Sequence, residues 1–152
     1  MPINGKGRLI DIMAKIDRYD MPDELYYTTD HAWVREEGNC IRIGVTDFMQ
    51  QMAGEITFIR VPRAGKEMEE GKTLCTVQSG KWAGKILVPL QCVVVDVNKD
   101  LAANPQLLNE DPYGRGWIAV LEPIDLAGGL AKLLKGDRVA EWLKGEIAKH
   151  RK

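Results

Sequence analysis

Residues 40–61 read CIRIGVTDFMQQMAGEITFIRV, and this stretch decides the fold class. Apolar Ile41, Ile43 and Val45 alternate with Arg42 and Gly44, the period of two that marks a strand with one buried face. Thr46 or Asp47 then opens a short turn of helix, which sets Phe48, Met49 and Met52 on one side and ends at Gly54. Ile56 to Val61 resumes as a strand, closed by Pro62 and by the turn signal Ala64-Gly65. Ile56 and Phe58 are expected in the sheet core beside Ile41, Ile43 and Val45. Outward from this stretch, short apolar runs broken by Gly, Pro, Asn and Asp continue from residue 26 to about residue 122, the pattern of a small sandwich or barrel. Further strands are predicted at Thr73–Val77, Lys85–Val88, Val93–Val97 and Gly116–Leu121, so the class is mainly β.

Both ends read as helical. Leu9, Ile10, Ile12, Met13 and Ile16 share one helical face, with Arg8, Asp11, Lys15, Asp17 and Arg18 opposite, so residues 1–24 are expected to form an N-terminal helical extension docked on the core. At the other end, residues 123–152 form a helical cap. Leu130, Leu133 and Leu134 suggest a turn of helix ending at Gly136, and Asp137 is placed to cap a helix that sets Val139, Trp142, Leu143 and Ile147 on one stripe. Residues 25–122 form the β domain between them.

The 152 residues make a single domain the default and leave no room for two enzymatic domains. Lys plus Arg number 21 against 22 Asp plus Glu, which lacks the basic excess of a nucleic-acid binder. No apolar run approaches the roughly 20 residues that span a bilayer, and no apolar leader opens the chain. A cytoplasmic monomer without membrane insertion is the expectation. Cys40, Cys75 and Cys92 form no CxxC pair and lie in apolar stretches, as buried free thiols do, so neither a disulfide framework nor a metal site is expected. The chain has no HExxH, no Walker lysine loop, no GxGxxG after a strand and no Ser-His-Asp order. A catalytic site of its own is therefore not expected. His31 is the sole histidine inside the β domain and cannot make a triad or a metal site alone.

Between two predicted strands lies Gln78-Ser79-Gly80-Lys81-Trp82-Ala83-Gly84, a turn of small residues that should lift Lys81 to its tip. An exposed turn lysine is usually a solubilising charge; its amine also suits amide attachment of a carrier group. The flanking blocks resemble the H-protein of the glycine cleavage system. Tyr27-Thr28-Thr29-Asp30-His31-Ala32-Trp33-Val34 is similar to the family's Y-T-x-x-H-x-W-V, and Ile43-Gly44-Val45-Thr46-Asp47-Phe48 to its I-G-I-T-D-Y/F. Val61-Pro62, Gly65 and Glu70-Gly71 follow in order, and Asn109-Glu110-Asp111-Pro112-Tyr113-Gly114 with Gly116-Trp117 resembles N-x-D-P-Y-G-x-G-W. Read without the family, Asp111 to Gly114 is a turn in which Gly114 tolerates positive φ.

The resemblance implies a lipoyl-domain fold, a barrel-sandwich hybrid of two small antiparallel sheets with a helical C-terminal cap. It implies that Lys81 carries lipoic acid by an amide, that Gln78, Ser79, Gly80 and Trp82 form the carrier turn, and that His31 lies near the carrier cavity as a candidate contact for the arm. The partners implied are a lipoate–protein ligase and a glycine decarboxylase system. The family's turn is E-S-V-K-A, so Gln78, Gly80 and Trp82 are departures. Trp82 either packs back on its hairpin or meets a partner or the arm. The K-W-A-G turn resembles lipoate-binding proteins of heterodisulfide-reductase-like sulfur oxidation, which implies sulfur intermediates as cargo and a heterodisulfide-reductase-like complex as partner. The alternatives are an ordinary glycine-cleavage carrier of an aminomethyl group and a non-lipoylated binding scaffold.

Overall fold

The computed structural model describes residues 15–16 and 18–150. The strands are β1 (Lys15–Ile16), β2 (Tyr19–Asp20), β3 (Tyr26–Tyr27), β4 (Ala32–Glu37), β5 (Cys40–Val45), β6 (Ile56–Arg60), β7 (Glu67–Met68), β8 (Thr73–Ser79), β9 (Ala83–Leu87), β10 (Cys92–Val97) and β11 (Ala119–Pro123). The helices are α1 (Asp47–Ala53), α2 (Asp100–Ala103), α3 (Leu107–Glu110), α4 (Leu126–Leu130) and α5 (Asp137–His150). A six-stranded sheet in the order β3-β4-β5-β11-β10-β7 faces a three-stranded sheet in the order β6-β8-β9. Ile41, Ile43, Val45 and Leu121 of the first pack with Ile56, Ile59, Val77 and Ile86 of the second in one buried cluster. Each such side chain is worth roughly 1.5–3 kcal/mol when fully buried.

The alternation read at Cys40–Val45 sends Ile41, Ile43 and Val45 into that cluster. On the next strand Trp33 points the other way and is fully buried in a second cluster with Tyr19, Met21, Leu25, Tyr27 and Phe48, covered by Val139 and Leu143 of α5. Trp33 lies directly across from Gly44 in the ladder. A β-carbon at Gly44 would come within 2.6 Å of the indole, so the ring occupies the space that any other residue would fill. α1 begins and ends as its sequence indicates. The Thr46 hydroxyl accepts from Met49 N–H at 3.1 Å, and Gly54 closes the helix at φ 78°, ψ −158°, a conformation open essentially only to glycine.

Several expectations are corrected. Of the predicted N-terminal helix, residues 1–14 and 17 lie outside the described residues, but Lys15–Ile16 and Tyr19–Asp20 pair as an antiparallel hairpin. Tyr19 is drawn onto Phe48 edge to face at 4.8 Å, and Asp20 N–H donates to the buried Asp47 carboxylate at 2.9 Å; these long-range contacts outweigh the helical period. Phe58 is not in the core. The ladder between β6 and β8 shifts register between Ile56 and Phe58, so Thr57 is the extra residue of a bulge and Ile59 returns to the core in place of Phe58. The last strand starts at Ala119, because Gly116 N–H bonds back to Asp111 O at 2.8 Å and keeps that segment in the preceding turn. Gly114 is a glycine for closeness, since a β-carbon there would sit 2.6 Å from the Asp111 carboxylate, and it is not among the positive-φ residues. The helical turn expected at residues 130–134 falls earlier, in α4, where Asp125 caps Gly128 N–H at 3.1 Å; Leu134 instead bridges to Tyr27. Asp137 is the first residue of α5 instead of its cap. Cys75 and Cys92 are buried, whereas Cys40 at the end of the β4–β5 hairpin is partly exposed.

α5 docks through Val139 and Leu143, with Trp142 and Ile147 partly buried beside them. Leu143 is wholly buried, so Leu143→Ala is expected to destabilise the fold by about 2–5 kcal/mol in urea unfolding. A change under about 0.5 kcal/mol would mean that the helix does not hold to the domain in solution.

Candidate functional site

β8 and β9 form a hairpin in which Gln78 pairs with Ala83 and Ser79 N–H donates to Trp82 O at 2.8 Å. Gly80 and Lys81 occupy the centre of the turn, and both are exposed. Lys81 N–H leans on the Ser79 hydroxyl at 3.4 Å. Neither central residue has positive φ, and no atom lies within 4 Å of where a Gly80 β-carbon would stand. Gly80 is thus not required by the backbone, and a β-carbon has open space there.

Trp82 packs back on its own hairpin. It is partly buried against the main core cluster, and its indole lies over Gly84, where a β-carbon would meet the ring at 2.3 Å. The departure from the E-S-V-K-A pattern at Trp82 and the glycine two residues on are therefore one steric unit: the large ring at residue 82 needs the glycine at residue 84.

The Lys81 side chain crosses the backbone at Gly54, its Cε 3.1 Å and its Nζ 3.7 Å from the position of a Gly54 β-carbon. Asn109 holds this floor. Its amide donates to Gly54 O at 2.8 Å and to Gln50 Oε1 at 3.0 Å, and its carbonyl accepts from Ile56 N–H at 2.8 Å. Among the described residues Lys81 Nζ makes no ion pair. The aliphatic stem has a surface to rest on and the amine has nothing to detach from. Gly54 and Asn109 are site residues that sequence reading missed. Gly54 is legible in the sequence only as a helix end, and Asn109 only as the first residue of the block that resembles N-x-D-P-Y-G-x-G-W.

His31 stands apart from this turn in its described contacts. It adopts φ 70°, and its ring lies 4.8 Å from Phe48 and 4.9 Å from Trp142 with Nε2 2.8 Å from Glu146 Oε1. It fastens α5 to the start of α1. Burial pushes the Glu146 carboxyl up, but hydrogen bonds from Lys149 and His31, together with their charges, outweigh it and hold the group below its ordinary 4.5. Burial raises the Cys75 thiol to about 12 and the Cys92 thiol to about 11, so neither offers a thiolate near neutral pH. No group of three or more His, Cys, Asp or Glu among the described residues is placed to hold a metal ion. A groove of about 570 Å³ lies at the far end of β6 and is lined in part by Arg60, Arg63 and Lys66. No helix among the described residues is long and apolar enough to cross a membrane.

A family model described as Glycine cleavage H-protein matches residues 25–146. A probable glycine cleavage system H protein of Pyrococcus horikoshii is 37% identical over 134 residues, covering 87% of this chain and 98% of that protein. The glycine cleavage system H protein of Halalkalibacterium halodurans is 38% identical, covering 84% and 98%. Among solved structures, a glycine cleavage system H protein from Mycobacterium marinum superposes with a TM-score of 0.72 at 25% identity over 83% of this chain and 98% of that one.

Two outcomes follow from the site's packing. Gly84→Ala should cost about 1–3 kcal/mol by forcing the indole off the hairpin, and Trp82→Ala should cancel most of that cost in the double variant; additive losses in a double-mutant cycle would show that the two residues do not meet. Because the Glu146 carboxyl is lower in the folded chain than its ordinary 4.5, its stabilising effect is complete above that value and is lost as the pH falls through the folded one. Glu146→Gln should therefore flatten the acid limb of thermal stability, and an unchanged limb would remove Glu146 from the account.

Proposed function

This chain belongs to the glycine cleavage H-protein family, whose members are lipoyl carriers without catalysis of their own, and from that premise we propose that Lys81 is the lipoylated residue. The observation that carries the proposal is the place of Lys81: exposed at the centre of the β8–β9 turn, where the family pattern has its lysine. The residues present fit the group. The amine is unpaired among the described residues, its stem lies on Gly54, and the open space around Gly80 leaves room for an attaching enzyme. Amide formation requires the unprotonated Lys81 Nζ to add to the carbonyl of a lipoyl group activated by ATP as an acyl–phosphate anhydride. The N–C bond forms, the acyl–oxygen bond breaks with its electron pair leaving on the departing oxygen, and the ammonium proton passes to solvent. Bound there, lipoate supplies two sulfurs that cycle between dithiol and disulfide by thiol exchange. The folded chain contributes the fixed base. Gly54, Asn109 and the turn hydrogen bonds hold one end of the arm, so its free end samples successive partner sites at high effective concentration.

For the cargo, the names of the relatives favour the glycine cleavage system, with an aminomethyl group on the arm and glycine decarboxylase as partner. The K-W-A-G turn, in which Trp82 packs on Gly84, with Gln78 in place of the family's glutamate, supports a second reading. In it the arm carries sulfur intermediates to a heterodisulfide-reductase-like complex, and the altered turn admits a different partner surface. His31, held by Glu146, Phe48 and Trp142, contributes to the carrier through the placement of α5.

Intact-mass and peptide mass spectrometry after incubation with lipoate, ATP and a lipoate–protein ligase should find one lipoyl group, on Lys81. Lys81→Arg should keep the fold and take none, because arginine retains the charge without an acylable amine; modification at another residue would contradict the assignment. Glycine-dependent loading by a standard glycine decarboxylase then separates the cargoes. Efficient loading of the wild type ends the sulfur reading, and poor loading rescued by Gln78→Glu with Trp82→Ala ends the glycine one.

A further inference from the structure

The bulge at Thr57 has turned Phe58 out of the core on the outer face of the three-stranded sheet, where it is 47% exposed. Bulges recur where a strand re-aims a side chain beside a functional site. The register gives that face two rows: Phe58 opposite Gln78 opposite Ala83, and Arg60 opposite Thr76 opposite Lys85. The upper row adjoins the Lys81 turn. None of these six residues is acidic. Beyond Arg60 the face runs into the groove of about 570 Å³ that Arg63 and Lys66 also line. Arg60, Arg63, Lys66 and Lys85 make no ion pair among the described residues. Carboxylates at the margins include Glu55 before β6, Glu67 and Glu69 beside Lys66, and Asp30, whose oxygens accept from Leu87 N–H and Thr28. In a chain of net charge −1, Arg60 and Lys85 share the face of the exposed phenyl ring, and Arg63 and Lys66 carry the positive charge on into the adjoining groove.

We propose that this face, centred on Phe58 and flanked by Arg60 and Lys85, is where the enzyme that acylates Lys81 docks, through an acidic surface with an apolar socket for the phenyl ring. The inference rests on the reading of Lys81 as the attachment site. Before modification the amine stands only one side-chain length above the hairpin. An enzyme that brings an activated acyl group to it must cover the sheet beside the turn, whereas later partners meet the far end of the long arm. One flank of the turn is occupied by Gly54 and α1, which leaves the outer face of β6, β8 and β9 as the open one. Cations there meet an acidic enzyme surface and speed encounter, and an exposed aromatic ring is the residue type that anchors contact centres.

The test uses the full, unmodified chain with a lipoate–protein ligase that modifies it, lipoate and ATP. Initial rates are measured against carrier concentration at several salt concentrations, and equilibrium binding of ligase to carrier is measured in parallel. Phe58→Ser and Arg60→Glu with Lys85→Glu are expected to lower kcat/KM about tenfold or more with kcat within about twofold. The charge reversal should also flatten the decline of kcat/KM with salt, and thermal melts should match the wild type because these side chains lie outside the core. Lys81 should still become fully modified on prolonged incubation. A kcat/KM within about twofold in both variants, or an unchanged salt dependence after charge reversal, would overturn the proposal. So would self-association of the wild type lost in Phe58→Ser without any change in kcat/KM, which would assign the face to a second copy of the chain. If the wild type takes its lipoyl group elsewhere than Lys81, the attachment reading fails instead, and the docking face is judged by the binding measurement alone, where weakening of about tenfold is again the expected result.

Discussion

The Asn109 side chain uses its donor and acceptor together at the point where α1 gives way to β6, and the placement of the carrier turn depends on it. Gly54 sits in a conformation that leaves its carbonyl and the following N–H groups without helical partners. Asn109 accepts from Ile56 N–H and donates to Gly54 O and Gln50 Oε1, so the junction is satisfied by one residue from the far side of the sequence. Each such bond contributes about 0.5–1.5 kcal/mol net, and a buried group left unpaired would cost about 1–3 kcal/mol. Neighbouring residues extend the clamp. Trp33 Nε1–H donates to Pro112 O at 2.8 Å, Arg35 to Tyr113 O at 2.9 Å, and the Tyr113 hydroxyl accepts from Asp47 N–H while donating to Asp20 O. The 109–113 segment therefore ties the start and end of α1, the β1–β2 hairpin and the six-stranded sheet to one loop.

This rigidity has a functional meaning. A carrier needs a fixed base and a free arm, since motion at the base would lower the effective concentration gained by tethering. Ile56, held by Asn109, pairs with Ser79 at the root of the turn, and Gly54 underlies the Lys81 stem. The order imposed by Asn109 thus reaches the lysine through two backbone contacts. The helix α5, held by Leu143 and by the His31–Glu146 contact, closes the other side of the sheet and leaves the turn uncovered.

What was legible in the sequence was local. The alternation of Ile41, Ile43 and Val45, the two caps of α1 and the small residues around Lys81 each carry their structure within a few residues, and all three appear where the sequence places them. What was not legible depends on distant partners. The bulge that expels Phe58 is a property of the β6–β8 register and leaves no mark on the alternation of β6 itself. Residues 15–20 carry a helical period, yet Tyr19 and Asp20 find Phe48 and Asp47 27 or more residues away. Trp82 could face out or in until the space above Gly84 was known. β4 escaped periodicity because Arg35, Glu36 and Glu37 end it in charge, although its Trp33 is among the most buried residues of the chain.

The measurement that reaches the centre of this account is amide hydrogen exchange in Asn109→Ala against the wild type. If Asn109 fixes the base of the carrier turn, protection at Ile56 and Ser79 should fall by about tenfold or more, the loss expected when the three bonds of this side chain are removed together, while Ile41 and Ile43 in the larger sheet keep theirs. Equal protection at Ile56 and Ser79 in the two proteins would contradict it.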